Sequence, residues 1–397
     1  MTEAPTRGQA RMSERTMTGS LAVLGICLLF QTTPVRAAID HPVLAPGSAA
    51  PAFTLPGVDG KTHSLADYAA SPVLVVVFTC NHCPIAQVYE QRITQLVADY
   101  RGRGVALVAI QPNAPEALRV DELDCSDTSD TLDEMKIRAS YKHLEYPYLY
   151  DGETQQTARA YGPQATPHVF VFDAQRKLRY EGRMDDNFRV ERVKSQDARA
   201  AINALLAGHE VAVKHTGVFG CSTKWKEKQA DSLEALRKIE SKPVKLEMVS
   251  AAGLKLLRAN AGGHITLVNF WATWCGSCIH EFADIETTYR MYSPRDLELV
   301  SVAANLPEER EAVMRVLNKY HATGRNLLFD SGETAALQTA FDPEWDSAVP
   351  YTALLGADGK LLYRKLGAVD VLELRRKILE SLPAEYDGFN RYWAVQN

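Results

Sequence analysis

The sequence has 397 residues, of which 46% are hydrophobic and 23% charged, and its formal net charge is −5. This length suits two or three domains of ordinary size, and the composition is that of a soluble globular protein. No long basic run points to a nucleic-acid partner, and no single-sign block points to a charged tail.

At the N-terminus, Arg7, Arg11 and Arg15 precede an apolar stretch from Leu21 to Phe30. Pro34-Val35-Arg36-Ala37-Ala38 follows, with Val35 and Ala37 placed for small-residue cleavage after Ala37. The apolar stretch is far short of the ~20 residues a spanning helix needs. Residues 1–37 therefore read as an export signal to the periplasm, with an uncleaved membrane anchor as the alternative. Cleavage removes four Arg and two Glu, so the mature charge is −5 − 4 + 2 = −7. Leu24-Gly25-Ile26-Cys27 faintly resembles a lipoprotein signal, but Ile26 stands where a small residue is expected. Of seven cysteines, six lie beyond the signal: the pairs Cys80/Cys83 and Cys275/Cys278, and the isolated Cys125 and Cys221. Export places all six where disulfides persist.

The run Val73 to Phe78 reads as a buried strand ending at Cys80. After Pro84, the apolar residues Ile85, Val88, Ile93, Leu96 and Val97 recur at near-helical spacing, and Val105 to Ile110 is a second strand. The second half repeats the plan. Ile265 to Phe270 is a strand leading to Trp271-Ala272-Thr273-Trp274-Cys275, a helix follows from about Ile279, and Leu297 to Val302 is the next strand. Thr166-Pro167 and Val349-Pro350 each open a β-hairpin, with turns near Asp173 and at Asp358-Gly359. Closing helices fall at about Asp197 to Ala207 and Val369 to Leu382. Strands alternating with helices define an α/β layered fold. The reading is a signal at 1–37, a first domain at 38–213, an extension and linker at 214–243, and a second domain at 244–397.

A Cys-x-x-Cys pair between a strand and a helix suits disulfide exchange. The helix dipole favours the thiolate of the first cysteine, the thiolate is the nucleophile, and the second cysteine is near enough to resolve the mixed disulfide. Cys80 and Cys275 are thus expected to attack, with Cys83 and Cys278 resolving. Thr166-Pro167 and Val349-Pro350, with Trp274, are expected to line the groove beside the sulfurs where an extended substrate lies.

Trp271-Ala272-Thr273-Trp274-Cys275-Gly276-Ser277-Cys278 with Val349-Pro350-Tyr351-Thr352 resembles the TlpA/ResA branch of the thioredoxin superfamily over about residues 244–385. It departs at Ser277, where proline is commoner. Residues 45–213 resemble redoxin-type, AhpC/TSA-related members of the same superfamily. Phe78-Thr79-Cys80-Asn81-His82-Cys83-Pro84, Tyr161 to Pro167, and Gly220-Cys221-Ser222-Thr223-Lys224-Trp225 carry that likeness. The resemblance implies two tandem thioredoxin-like domains, each a central mixed sheet flanked by helices. It also implies exchange with protein thiols and disulfides, and a membrane or exported electron-transfer partner. No metal or organic cofactor is expected.

Three other readings compete. A Cys₄ zinc site is disfavoured because Cys83 and Cys275 lie far beyond usual zinc spacing. Cu(I) binding at Cys80, His82 and Cys83 suits soft thiolates, which makes a copper carrier the binding-protein alternative. A thiol peroxidase is the enzymatic alternative, but Cys80, Val76 and Pro167 stand where peroxiredoxins place Thr or Ser, Pro and Arg. Between the cysteines, Asn81-His82 and Gly276-Ser277 are expected to tune the two sites differently. His82 is expected to lower the thiol pKa of Cys80 and make the first domain more oxidising. Cys125 and Cys221 are candidates for a structural disulfide, Trp271 and Tyr351 for groove or core, and Glu281 for a solvated helix residue.

Overall fold

The computed structural model describes residues 41–260 and 262–383. The export signal expected at 1–37 lies outside the described residues. Among the described residues no helix is long and apolar enough to cross a membrane.

In chain order the first half forms β1 (Thr54–Pro56), β2 (Thr62–Ser64), β3 (Val73–Phe78), α1 (Pro84–Tyr100), β4 (Val105–Gln111), α2 (Leu132–Tyr141), β5 (Tyr148–Tyr150), α3 (Gln156–Tyr161), β6 (Ala165–Thr166), β7 (His168–Phe172), β8 (Leu178–Gly182), α4 (Asp197–Leu206), β9 (Cys221–Ser222) and α5 (Gln229–Glu240). The second half forms β10 (Glu247–Val249), α6 (Ala251–Ala259), β11 (Ile265–Trp271), α7 (Gly276–Tyr292), β12 (Leu297–Ala303), α8 (Arg310–Lys319), β13 (Arg325–Phe329), α9 (Ala335–Phe341), β14 (Tyr351–Leu355), β15 (Leu361–Leu366) and α10 (Val371–Ser381).

Each half builds one mixed sheet, ordered β5-β4-β3-β7-β8 in the first and β10-β13-β12-β11-β14-β15 in the second. The central strands β3 and β11 are buried throughout and parallel to β4 and β12; β3 is wholly apolar, and β11 is apolar except for Thr266 and Asn269. Continuous apolar runs are what a strand covered on both faces requires. Alternation divides β3 between two cores. Val73, Val75 and Val77 pack with Tyr89 and Ile93 of α1 and Ile202 of α4. Leu74, Val76 and Phe78 pack with Phe53, Tyr161 and Phe170 on the other face. In the second half Val268 and Phe270 face Leu337 and Phe341 of α9, while Leu267 faces Ile285 of α7 and Ile378 of α10. The protein is thus two tandem α/β domains of thioredoxin-like architecture.

The segment 214–243, read as an extension and a helical linker, carries β9 and α5. β9 returns to the first domain and pairs antiparallel with β6. Ser232 of α5 then bonds the Leu118 carbonyl at 3.1 Å, and Glu240 at the helix end pairs with Arg290 of α7 at 3.1 Å.

The two domains meet along residues 120–141. Val120, Leu123 and Tyr141 pack against the core formed by α7 and α10. Tyr292 donates to the Ser126 carbonyl at 2.7 Å, and Arg376 Nε lies 2.8 Å from Asp127 Oδ2. Asp127 also holds the fully buried Arg138, which in turn pairs with Glu90 of α1. Breaking a buried pair of this kind costs about 3–5 kcal/mol because a charge is left uncompensated.

Candidate functional site: two dithiols in different registers

Phe78 of β3 pairs with His168, the residue after Pro167, and Phe270 of β11 pairs with Tyr351, the residue after Pro350. The Thr166-Pro167 and Val349-Pro350 peptides are both cis. From these paired residues, Phe78 to Cys83 and Phe270 to Cys275 are the same step (83 − 78 = 275 − 270). Cys83 is the N-cap of α1, its sulfur accepting the Ala86 N–H at 3.5 Å. Cys275 is the N-cap of α7, its sulfur accepting the Cys278 N–H at 3.2 Å. Cys83 Sγ lies 3.3 Å from the Thr166 carbonyl oxygen, and Cys275 Sγ lies 3.6 Å from that of Val349.

The equivalent of Cys275 is therefore Cys83. The expectation that Cys80 attacks and Cys83 resolves does not fit this geometry. Cys80 precedes the helix, and Ala86 stands where the second domain has Cys278. The sequence held one signal of this: Pro84 directly follows Cys83, and proline favours the first helical position, which makes the preceding residue the cap.

The electrostatics agree. Burial pushes the Cys83 thiol up, but hydrogen bonds from Cys221 and Cys80, the nearby His82 and the Ala86 N–H outweigh it and hold the thiol well below its ordinary value. Burial, its hydrogen bond to Cys83 and the Asp130 charge push the Cys80 thiol well up, contrary to the lowered value expected from His82. Cys80 Sγ lies 3.0 Å from Thr166 Oγ1. His82 is buried, with Nδ1 2.6 Å from Asp130 Oδ2. Burial pulls its pKa down, and the Asp130 charge and hydrogen bond more than reverse this. Asp130 also accepts the backbone N–H groups of Asn81 at 2.9 Å and His82 at 3.1 Å and the side-chain amide of Asn113 at 2.8 Å. Its carboxyl stays below the ordinary range: burial raises it, but His82 and these donors prevail. The Asn81 side chain donates to the Ser129 carbonyl at 2.8 Å. Nothing in the sequence near His82 pointed to Asp130, which lies 48 positions away. One ligand atom each from Cys80, His82 and Asp130 lie within 4.8 Å of one another, but His82 Nδ1 and Asp130 are already each other's partners.

The candidate Cys125–Cys221 disulfide is not formed in the structure. Cys221 instead adjoins Cys83, its N–H donating to Cys83 Sγ at 3.2 Å. Cys125 lies at the domain boundary, 3.9 Å from Arg295 Nη1.

In the second domain Cys275 and Cys278 are joined as a disulfide. Ser277 Oγ is 3.5 Å from Cys275 Sγ, and Gly276 opens α7. Trp274 is 65% exposed beside the disulfide, whereas Trp271 and Tyr351 are buried in the core. Glu281 is not solvated as expected. It is buried, accepts the Val369 N–H at 3.0 Å and the Asn269 side-chain amide at 3.3 Å, and burial raises its pKa.

Two cysteine pairs, one a dithiol and one a disulfide, each have a sulfur capping a helix beside a strand-opening proline, which is a thioredoxin-type arrangement. The chain belongs to the thioredoxin superfamily, as two tandem redoxin-type domains. Residues 46–181 match the AhpC/TSA family and residues 243–378 the Redoxin family. The chain is 24% identical over 127 residues to the thiol:disulfide interchange protein DsbE of Allochromatium vinosum, covering 32% of this chain and 64% of that protein. It is 37% identical over 75 residues to a putative peroxiredoxin of Mycobacterium tuberculosis, covering 19% of this chain and 48% of that protein. The chain thus spans between about half and two thirds of the length of these curated relatives. A hypothetical protein from Sinorhizobium meliloti of known structure is 33% identical, over 47% of this chain and 97% of that one, with a TM-score of 0.42.

Proposed function

We propose that the protein is an exported thiol–disulfide oxidoreductase whose second domain exchanges disulfides with protein substrates. The observation that carries this reading is the Cys275–Cys278 disulfide at the N-cap of α7, with Trp274 exposed beside it. The reduced site works by Cys275 thiolate attacking a substrate disulfide, which forms a mixed disulfide and releases one substrate thiolate. Cys278 then attacks Cys275 Sγ, frees the second substrate thiolate and restores the bond seen here. The dipole of α7 and the Cys278 N–H stabilise the Cys275 thiolate. Among the described residues no strand pairs with Val349, so the edge beside the sulfurs is open to an extended peptide. The basic–apolar–small pattern of residues 1–37 supports export, and a membrane or exported protein is the expected electron partner. The chemistry needs no organic cofactor. The test is capture: a Cys278→Ser variant should retain substrate proteins as mixed disulfides through Cys275, released by dithiothreitol. Capture that is unchanged by a further Cys275→Ser replacement would reject the proposal.

A further inference from the structure

Among the described residues no strand pairs with Val349 in the second domain, but in the first domain the matching edge is filled by the chain itself. β9 pairs antiparallel with β6, with Cys221 opposite Thr166 and Ser222 opposite Ala165. Thr166 is the residue whose carbonyl lies 3.3 Å from Cys83 Sγ. An extended segment on this edge brings its side chain at that register to the nucleophile, and here that side chain is a thiol.

The segment is held on both sides of Cys221. Before it, the Thr216 N–H donates to the Glu181 carbonyl at 3.2 Å, and Thr216 Oγ1 accepts the Arg183 N–H at 3.1 Å. After it, Thr223 Oγ1 donates to the Pro163 carbonyl at 2.6 Å, and the Lys224 N–H donates to Asn113 Oδ1 at 2.8 Å. Gly220, at φ +135°, makes the close approach possible: a Cβ there would lie 2.0 Å from the Thr166 carbonyl oxygen. The Cys221 N–H leaves the strand ladder and points at Cys83 Sγ at 3.2 Å. The Cys221 thiol stays protonated, chiefly through its hydrogen bond to Cys83 and then through burial, as a donor to a neighbouring thiolate should.

We propose that Cys221 is the built-in disulfide partner of Cys83, presented by β9 as an internal substrate, with Cys80 as the second partner. This rests on the reading of Cys83 as an exchange nucleophile. With glutathione disulfide as oxidant, Cys83 thiolate attacks one glutathione sulfur, so that a Cys83–glutathione disulfide forms and one glutathione thiolate leaves. Cys221 then gives up its proton and attacks Cys83 Sγ. The Cys83–Cys221 bond forms and the second glutathione leaves. Two protein thiols are oxidised and one glutathione disulfide is reduced to two glutathiones. Exchange of Cys80 for Cys221 on Cys83 moves the bond without net oxidation.

The test oxidises the reduced full chain with graded glutathione disulfide, followed by acid quench, alkylation, trypsin and mass spectrometry. Cys80 and Cys83 share the tryptic peptide 62–92, and Cys221 lies in 215–224. The proposal predicts a disulfide-linked pair of these peptides in the wild type. The pair should persist in Cys80→Ser, vanish in Cys83→Ser, and fall at least several-fold in Gly220→Ala, where β9 is forced off the edge. A wild type that forms only the bond within 62–92 while Cys221 is alkylated would overturn it. So would a Cys80→Ser variant in which Cys83 remains glutathionylated beside a free Cys221. The Cys275–Cys278 bond, read in the same digests, serves as the internal reference. If it responds and the first-domain thiols do not, this proposal fails while the exchange reading of the second domain stands. If neither responds, both fail.

Discussion

Cys83 and Cys275 cap their helices from equivalent positions, although Cys83 closes its Cys-x-x-Cys pair and Cys275 opens its own. The two pairs therefore lie on opposite sides of the shared nucleophile position, with Cys278 inside α7 and Cys80 ahead of α1. Thiolate absorbance near 240 nm tests this in a Cys275→Ser/Cys278→Ser background. The Cys80→Ser variant should keep a thiolate that titrates below the ordinary ~8.5 of a cysteine, and Cys83→Ser should lose it. Retention of the acidic thiolate in Cys83→Ser would place the nucleophile at Cys80 after all.

His82 acts on Cys83 through a charge that Asp130 maintains. Its raised pKa means that the imidazolium is present at low pH and is lost as pH rises through the raised value, with the Cys83 thiol then moving up. Replacing His82 by Ser should raise the Cys83 pKa. A change of about one in pKa is worth ~1.4 kcal/mol, or about 30 mV for a two-electron couple. The first-domain potential should therefore fall by a few tens of millivolts in glutathione equilibration, with the second unchanged. An unshifted first-domain potential would remove His82 as the cause.

The cysteine register explains where sequence reading stopped. The runs Val73–Phe78 and Ile265–Phe270 announced buried strands, and the Thr-Pro and Val-Pro hairpins revealed the repeat, because periodicity and turn chemistry are local. The place of a cysteine relative to a helix start differs by three residues between the domains, and the spacing alone is blind to it. Asp130 and Cys221 reach the site through folding, across 48 and 138 positions from their partners, with no local pattern. Glu281 looked like a surface residue because its partners, Asn269 and the Val369 N–H, come from other elements.

Peroxide should be a poor oxidant of the first site. The position three residues before Cys83 carries the Cys80 thiol rather than a hydroxyl. Stopped-flow oxidation by hydrogen peroxide should run near the rate of an ordinary thiolate. A rate orders of magnitude faster would support the peroxidase reading, with Cys83 as the peroxidatic residue.

Glu286 of α7 gives a pH signature away from both sites. Burial pushes its carboxyl up to about 7, against the Thr323 N–H and the Arg290 charge, which pull the other way. The folded state holds this proton more tightly than the unfolded chain does. Stability therefore falls as pH rises from the ordinary carboxyl range to about 7, with the full loss above that. The Glu286→Gln variant should match the wild type near pH 4 and exceed it at pH 8 by up to about 3 kcal/mol in urea unfolding. An advantage that does not change with pH would show that the carboxyl is not titrating in this window.

In the proposed mechanism this chain exchanges disulfides through a nucleophile at each helix cap, and the second site acts on protein substrates. Reduction of insulin disulfides by the full chain with dithiothreitol tests it most directly. The wild type should accelerate reduction well above dithiothreitol alone. Cys275→Ser should lower the rate at least about tenfold relative to the wild type, a loss of at least ~1.4 kcal/mol in transition-state stabilisation, while Cys80→Ser keeps most of it. A Cys275→Ser chain that reduces insulin as fast as the wild type would contradict the account.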